Sequence, residues 1–132
     1  MKKDIEFLVA KDVYVAITHD WIGEDFLAKE YNAYLINNRN TPIEMVLIVS
    51  KGYTTNQKTS TMRHAIGVVP AKGFEKIEMV QEEVLSLTNE FFVTFYVGRE
   101  LYERKFVFEK NTVTSKNFTH IPILGKEGIL AK

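Results

Sequence analysis

Short runs of β-branched and aromatic residues, separated by clusters of Gly, Pro and Asn, restrict the fold of this chain more than any other feature of its sequence. Such runs are typical of antiparallel strands joined by tight turns. Their close spacing leaves no room for repeated crossover helices. The runs occupy residues 5–10, 13–19, 28–38, 43–50, 59–66, 74–80, 91–97 and 101–109. The pattern predicts an all-β fold, an immunoglobulin-like antiparallel sandwich of about seven or eight strands, with an open barrel as the alternative.

Turn residues support this division into strands. The Asn-rich segment 37–42 ends in Pro42, which lacks the N–H that a central strand would need. The short segment 97–100 lies between alternating apolar residues and predicts a hairpin of the seventh and eighth runs. Val80, Val84 and Leu87 recur at i, i+4 and i+7, which predicts one short helical turn.

The length of 132 residues, without a linker or repeat, predicts one domain. We expect this domain to span 1–132, with residues 112–132 as an extended C-terminal segment packed on it. Asp4 and Glu6 interrupt the apolar stretch that a signal peptide would need. No apolar run approaches the roughly 18 residues of a membrane span. We therefore expect a cytoplasmic protein without a membrane partner.

Composition excludes several kinds of chemistry. The 17 basic and 17 acidic residues cancel, so no overall field attracts nucleic acid, and we do not expect a nucleic-acid partner. The chain has no cysteine, which excludes a disulfide framework, a thiolate nucleophile and a cysteine zinc site. We expect no cofactor.

Alternation along three strands predicts an apolar surface outside the core. In 43–50, the longer apolar row, which begins at Ile43 and includes Met45 and Leu47, is predicted to face the core. The strands that begin at residues 43, 91 and 101 are neighbours in an immunoglobulin-like sheet. The predicted outer residues are Val46, Ile48, Phe92, Tyr96 and Val107.

An outer apolar patch of this kind is seldom left bare. Either the chain covers it, through the helical turn or the C-terminal segment, or it forms the interface of a homodimer or of a complex with a protein partner. The leading hypothesis for function is therefore a non-catalytic interaction or self-association module.

Catalytic signatures are absent from the sequence. It contains no GxxxxGK[ST], GxGxxG, GxSxG or HExxH motif, and its three histidines are isolated, so we predict neither catalytic residues nor a metal site. The alternative hypothesis is a small enzyme or ligand-binding protein with a pocket at one end of the sandwich, lined by His19, Trp21 and His64. The segment 19–25 is predicted to be a loop, in which Trp21 either closes the end of the core or serves as a contact residue.

The runs AYLINNRNTPIEMVLIVSKGY, TSTMRHAI, VPAKGFEKIEM, LTNEFFVTFYVGRELYERKFVF and IPILGKEGILA resemble a family of small bacterial proteins, some of which are labelled phenylalanyl-tRNA synthetase subunit alpha. The resemblance covers nearly the whole chain but brings no catalytic motif. The label implies a third hypothesis, an accessory protein associated with RNA. Synthetases of that class are far longer and hold ATP with arginine motifs, whereas the arginines here are scattered, so we treat the label as a misnomer.

The stretch YLINNRNTPIEMVLIV separately resembles the second and third strands of immunoglobulin-like and fibronectin-like domains. That likeness implies the sandwich architecture and no particular activity.

Overall fold

The structure is a computed structural model that describes residues 7–132. The start of the predicted run 5–10 and the charged positions Asp4 and Glu6 lie outside the described residues. The strands are β1 (Phe7–Val9), β2 (Val13–Ile22), β3 (Ala28–Asn37), β4 (Ile43–Tyr53), β5 (Met62–Val69), β6 (Gly73–Val80), β7 (Thr88–Val97), β8 (Glu100–Phe108), β9 (Thr119–Ile121) and β10 (Lys126–Leu130). Short 3-10 turns occupy Glu82–Ser86 and Ser115–Asn117. In this part of the chain, no helix is long and apolar enough to cross a membrane.

The strands form two five-stranded sheets. The front sheet has the order β1-β8-β7-β4-β5 and the back sheet β6-β3-β2-β10-β9. Neighbouring strands are antiparallel except β1, which runs parallel to β8. The prediction of an all-β sandwich is confirmed. The predicted hairpin of β7 and β8 and the adjacency of β4, β7 and β8 are also present, and Gly98 in the hairpin turn has a φ of +60°.

The main core lies between the sheets because each strand turns one apolar row inward. Four phenylalanines of β7 and β8 are its largest buried side chains, and aliphatic residues of β2 and β3 belong to the same cluster. The phenylalanines are Phe91, Phe95, Phe106 and Phe108. Burial of such a side chain stabilises the fold by about 1.5–3 kcal/mol.

A β-bulge near the start of β4 reverses the predicted faces of that strand. The pairing of β4 with β7 passes directly from Glu44 to Leu47, and Met45 has a φ of +50°. Val46 and Ile48 are therefore completely buried, whereas Met45 is 67% and Leu47 53% exposed. The prediction that Val46 and Ile48 lie on the outer face is wrong, because one extra residue shifts the alternation of a strand to its other face.

The C-terminal segment packs on the outer side of the back sheet. β10 pairs with β2 and β9 pairs with β10, which adds two strands that the sequence pattern did not predict. Residues from this segment and from β2 and β3 form a second, smaller core. Its buried members are Ala16, Ile36, Ile121 and Leu124. The segment therefore covers the back sheet, and on the front sheet Lys132 exchanges two backbone hydrogen bonds with Val107, at the edge of the predicted patch.

Candidate functional site

An exposed apolar surface lies on the outer side of the front sheet. We call it the front face and define it by Met45, Leu47, Val49, Phe92 and Tyr96. Met45 and Leu47 are the most exposed of the five, and the other three are half-buried. Val49 lies opposite Phe92 in the pairing of β4 with β7. The front face is thus one continuous patch across two strands.

Three of the five predicted patch residues do lie on the outer side of the front sheet. Phe92, Tyr96 and Val107 are half-buried there, whereas Val46 and Ile48 belong to the core. Sequence reasoning missed Met45 and Leu47. Both alternating rows of this strand are apolar, so the alternation alone could not determine which row is inside.

Charged residues flank the front face along β4. Glu44 precedes the apolar residues and is exposed, and Lys51 follows them. Lys51 Nζ lies 3.8 Å from Glu90 Oε2 on the neighbouring strand β7. The outer row of β4 therefore runs from an acid, through three apolar residues, to a base.

The β2–β3 hairpin projects from the back sheet as a two-stranded arm, defined here as residues 20–30. In the described part of the chain, β10 pairs with β2 only as far as Thr18, and β6 pairs with β3 only as far as Tyr31. The large apolar side chains of the arm are all exposed. They are Trp21, Ile22, Phe26 and Leu27. The arm is thus a second apolar surface, on the other sheet.

Trp21 lies near the end of β2 rather than in a loop, so the prediction of a loop over residues 19–25 is wrong in its first half. Its indole packs edge-on against Phe26, with ring centroids 5.7 Å apart, and Lys29 Nζ lies 4.7 Å from the indole centroid. Trp21 is 51% exposed. The prediction that it closes the end of the core is therefore wrong, because Trp21 is half-exposed and its described ring contacts, with Phe26 and Lys29, lie within the arm.

His19 stacks on Tyr31 at the base of the arm, with ring centroids 3.9 Å apart. Burial lowers the pKa of His19 below 6.5, and the charge of Lys29 lowers it further, against the opposing charges of Glu82 and Asp20. The surroundings of His19 therefore favour the neutral imidazole over the protonated one.

A polar cluster joins the base of the arm to the C-terminal strand. Asp20 Oδ2 accepts hydrogen bonds from Thr18 Oγ1 at 2.7 Å and Asn32 Nδ2 at 2.8 Å. Lys126 Nζ lies 3.2 Å from Asp20 Oδ1 and donates to the Tyr34 hydroxyl at 3.3 Å. Partial burial raises the pKa of Asp20, but these hydrogen bonds and the charge of Lys126 outweigh it and hold that pKa below 3.8.

His64 does not join His19 and Trp21 in a common pocket. It lies on β5 of the front sheet, and its Nε2 is 2.6 Å from Glu78 Oε1 on β6. Ser50 Oγ donates to the same oxygen at 2.8 Å. A bulge in β6 opposite Ala33 brings Glu78 to this edge of the sandwich.

A cleft of about 390 Å³ opens beside Glu78. Neither His19 nor Trp21 lines it. The carboxylate accepts from both Ser50 and His64, whereas a catalytic triad needs the imidazole between the hydroxyl and the acid. The arrangement therefore does not activate Ser50 as a nucleophile through His64.

Among the residues that the structure describes, no group of three or more His, Cys, Asp or Glu side chains could hold a metal ion. Comparisons with protein-family models, with curated proteins and with solved structures find no match.

Proposed function

We propose that this protein is a non-catalytic interaction module that associates with a second copy of itself through the front face. The observation that carries the proposal is the exposure of Met45 and Leu47 beside Phe92 and Tyr96. Apolar residues that lie together on a sheet surface mark interaction sites more often than single exposed ones do. The C-terminal segment, which covers the back sheet, leaves them exposed.

The charges along β4 favour a second copy as the partner. Most soluble homo-oligomers are two-fold symmetric, and each surface then meets itself. If the β4 strands of two copies face each other and run antiparallel, Glu44 of each copy lies near Lys51 of the other. The dimer then contains two such pairs of opposite charges. Opposite charges at the rim of an interface fix its register and increase the rate of encounter. The presence of an acid as well as a base beside the front face also favours a protein over RNA.

We infer that the sandwich is a variant of the immunoglobulin-like architecture. In the back sheet, the neighbouring strands β6, β3 and β2 correspond to strands E, B and A of an immunoglobulin domain. In the front sheet, β4, β7 and β8 correspond to its strands C, F and G. Domains of this kind often act by presenting a sheet face or loops to partners. A cytoplasmic location remains a prediction from the sequence.

Light scattering over a range of concentrations tests the proposal. We expect the mass of a dimer for the natural chain and that of a monomer for Leu47→Lys, because an ammonium group would be buried without a partner in the interface. Leu27→Lys in the arm is the matched control and is expected to leave the dimer intact, since Leu27 lies outside the front face. A monomeric natural chain, or a dimer lost through Leu27→Lys and kept in Leu47→Lys, would refute the proposal.

A further inference from the structure

The cleft beside Glu78 has a chemistry that the front face does not use. It lies at the edge of the sandwich, where β4 and β6 meet the 3-10 turn Glu82–Ser86. Its volume of about 390 Å³ falls within the usual range of small-molecule sites, roughly 300–1,000 Å³. The cleft is therefore large enough for a small organic molecule.

Only one of the two oxygens of the Glu78 carboxylate accepts hydrogen bonds from the described residues. Oε1 accepts from Ser50 and His64, whereas Oε2 accepts no hydrogen bond from any residue within 7–132. The side chain is 15% exposed, and Oε2 is not among the buried polar atoms without a partner, so a ligand in the cleft can reach it. A carboxylate that is mostly withdrawn from water is stabilised by hydrogen-bond donors and by positive charge.

Lys51 also lines this cleft, but its Nζ lies 3.8 Å from Glu90 Oε2, and no Lys or Arg side chain within residues 7–132 forms an ion pair with Glu78. In the described ion pairs, Lys51 lies beside Glu90, Lys76 beside Glu30 and Lys126 beside Asp20. His64 is the one basic side chain within 4.0 Å of Glu78 in residues 7–132, and it is charged only when protonated. A cationic ligand would supply the missing charge at Oε2.

Most of the accessible surface of the cleft is apolar, although Lys51, Thr59 and Gln81 also line it. Met62 and Met79 line it together with Val84 and Phe91. Met62 is 50% and Met79 49% exposed, so both residues are accessible to a ligand. Methionine side chains are unbranched and adapt to different apolar shapes. This wall suits a short apolar group attached to the cation.

We propose that the cleft binds a small organic cation, an ammonium group on an apolar body. Glu78 Oε2 accepts hydrogen bonds from the ammonium group, and Met62 and Met79 contact the apolar body. None of the five residues that define the front face lines the cleft, although Lys51, which flanks the front face, also lines the cleft. The benzylamine titration therefore tests this proposal separately from the dimer.

NMR of ¹³C-methyl-labelled methionine tests the site with benzylamine as the probe. The methyl signals of Met62 and Met79 are expected to shift on titration, and that of Met45, on the front face, is the internal control. Benzyl alcohol and benzoate have the same ring without the cation and are expected to leave all three signals in place. No shift of Met62 and Met79 with benzylamine, or an equal shift with benzyl alcohol, would overturn the proposal.

Two variants test the role of the carboxylate. Glu78→Gln keeps the shape of the side chain and is expected to weaken benzylamine binding by about tenfold or more, because it removes a charge-assisted hydrogen bond. Met62→Lys, at a half-exposed position, places an ammonium group beside Glu78 and is expected to block the probe even if Glu78→Gln does not fold. Unchanged affinity in either variant would contradict the site.

Discussion

Met45 and Val46 are consecutive residues of β4, yet Met45 is 67% exposed and Val46 is completely buried. The backbone of Met45 is in the left-handed region, and the register of β4 shifts here against both of its neighbours. A residue other than glycine in this conformation is strained by about 1–2 kcal/mol. The strain persists because the extra residue lets Ile43, Val46 and Ile48 all reach the core.

This bulge predicts that alanine costs far more stability at Val46 than at the adjacent Met45. We expect Val46→Ala to lower the free energy of unfolding by about 2 kcal/mol, because it removes buried methyl groups and leaves a cavity. Met45→Ala is expected to change it by less than about 0.5 kcal/mol. Urea unfolding followed by circular dichroism measures both. A larger loss in Met45→Ala than in Val46→Ala would contradict the inverted faces.

The backbones of β10 and β2 approach each other closely at Gly128, and a side chain at this position would clash with β2. A Cβ at this position would lie 2.7 Å from the carbonyl oxygen of Ile17 and 3.0 Å from Thr18 Cγ2. We expect Gly128→Ala to lower the free energy of unfolding by about 1–3 kcal/mol, because the backbones must move apart. Amide hydrogen exchange in β9 and β10 should be faster in Gly128→Ala than in the natural chain, whereas exchange in β7 should change less. Unchanged exchange in β9 and β10 would show that they do not depend on this close approach.

The sequence was sufficient for eight of the ten described strands and for the class of fold, because strand and turn propensities are local. The hairpin of β7 and β8 follows from apolar alternation on both sides of Gly98. The faces of β4 could not be predicted, because both of its rows are apolar and the bulge at Met45 has no sequence signature. Glu78 was missed for the same reason, since a bulge in β6 brings it to Ser50 and His64. The arm was not predicted, because its strand ends lack the one-sided apolar alternation of a strand packed on a core, and their sequence therefore looked like that of a loop.

The polar cluster around Asp20 predicts a loss of stability in acid. The pKa of Asp20 is lower in the folded chain than the ordinary 3.8, so the unfolded chain binds this proton more tightly. Its contribution to stability is therefore present above about pH 3.8 and is lost as the pH falls through the folded-state pKa. We expect Asp20→Asn to be less stable than the natural chain at neutral pH, with a difference that shrinks below this pH. Urea unfolding at a series of pH values measures it, and a difference independent of pH would contradict the cluster.

The surroundings of His19 predict a pKa below the ordinary value of a histidine. Burial, and then the charge of Lys29, lower the pKa of His19 below 6.5. Because the unfolded chain binds the proton more tightly, protonation destabilises the fold as the pH falls below 6.5. NMR of the imidazole signals should give a midpoint below this value, and Lys29→Gln should raise the midpoint. Lys105→Gln on the front sheet is the control, and an equal effect of the two substitutions would contradict the assignment.

The pairing of charges across the dimer tests the central claim most directly. In the two-fold arrangement, Glu44→Lys alone and Lys51→Glu alone each place like charges together at both ends of the interface. An equal mixture of these two variants restores opposite charges at both ends. The account predicts, by light scattering at low ionic strength, that each variant alone is monomeric and that the mixture forms a dimer. If each variant alone associates as the natural chain does, or if the mixture remains monomeric, the two copies do not meet through the front face.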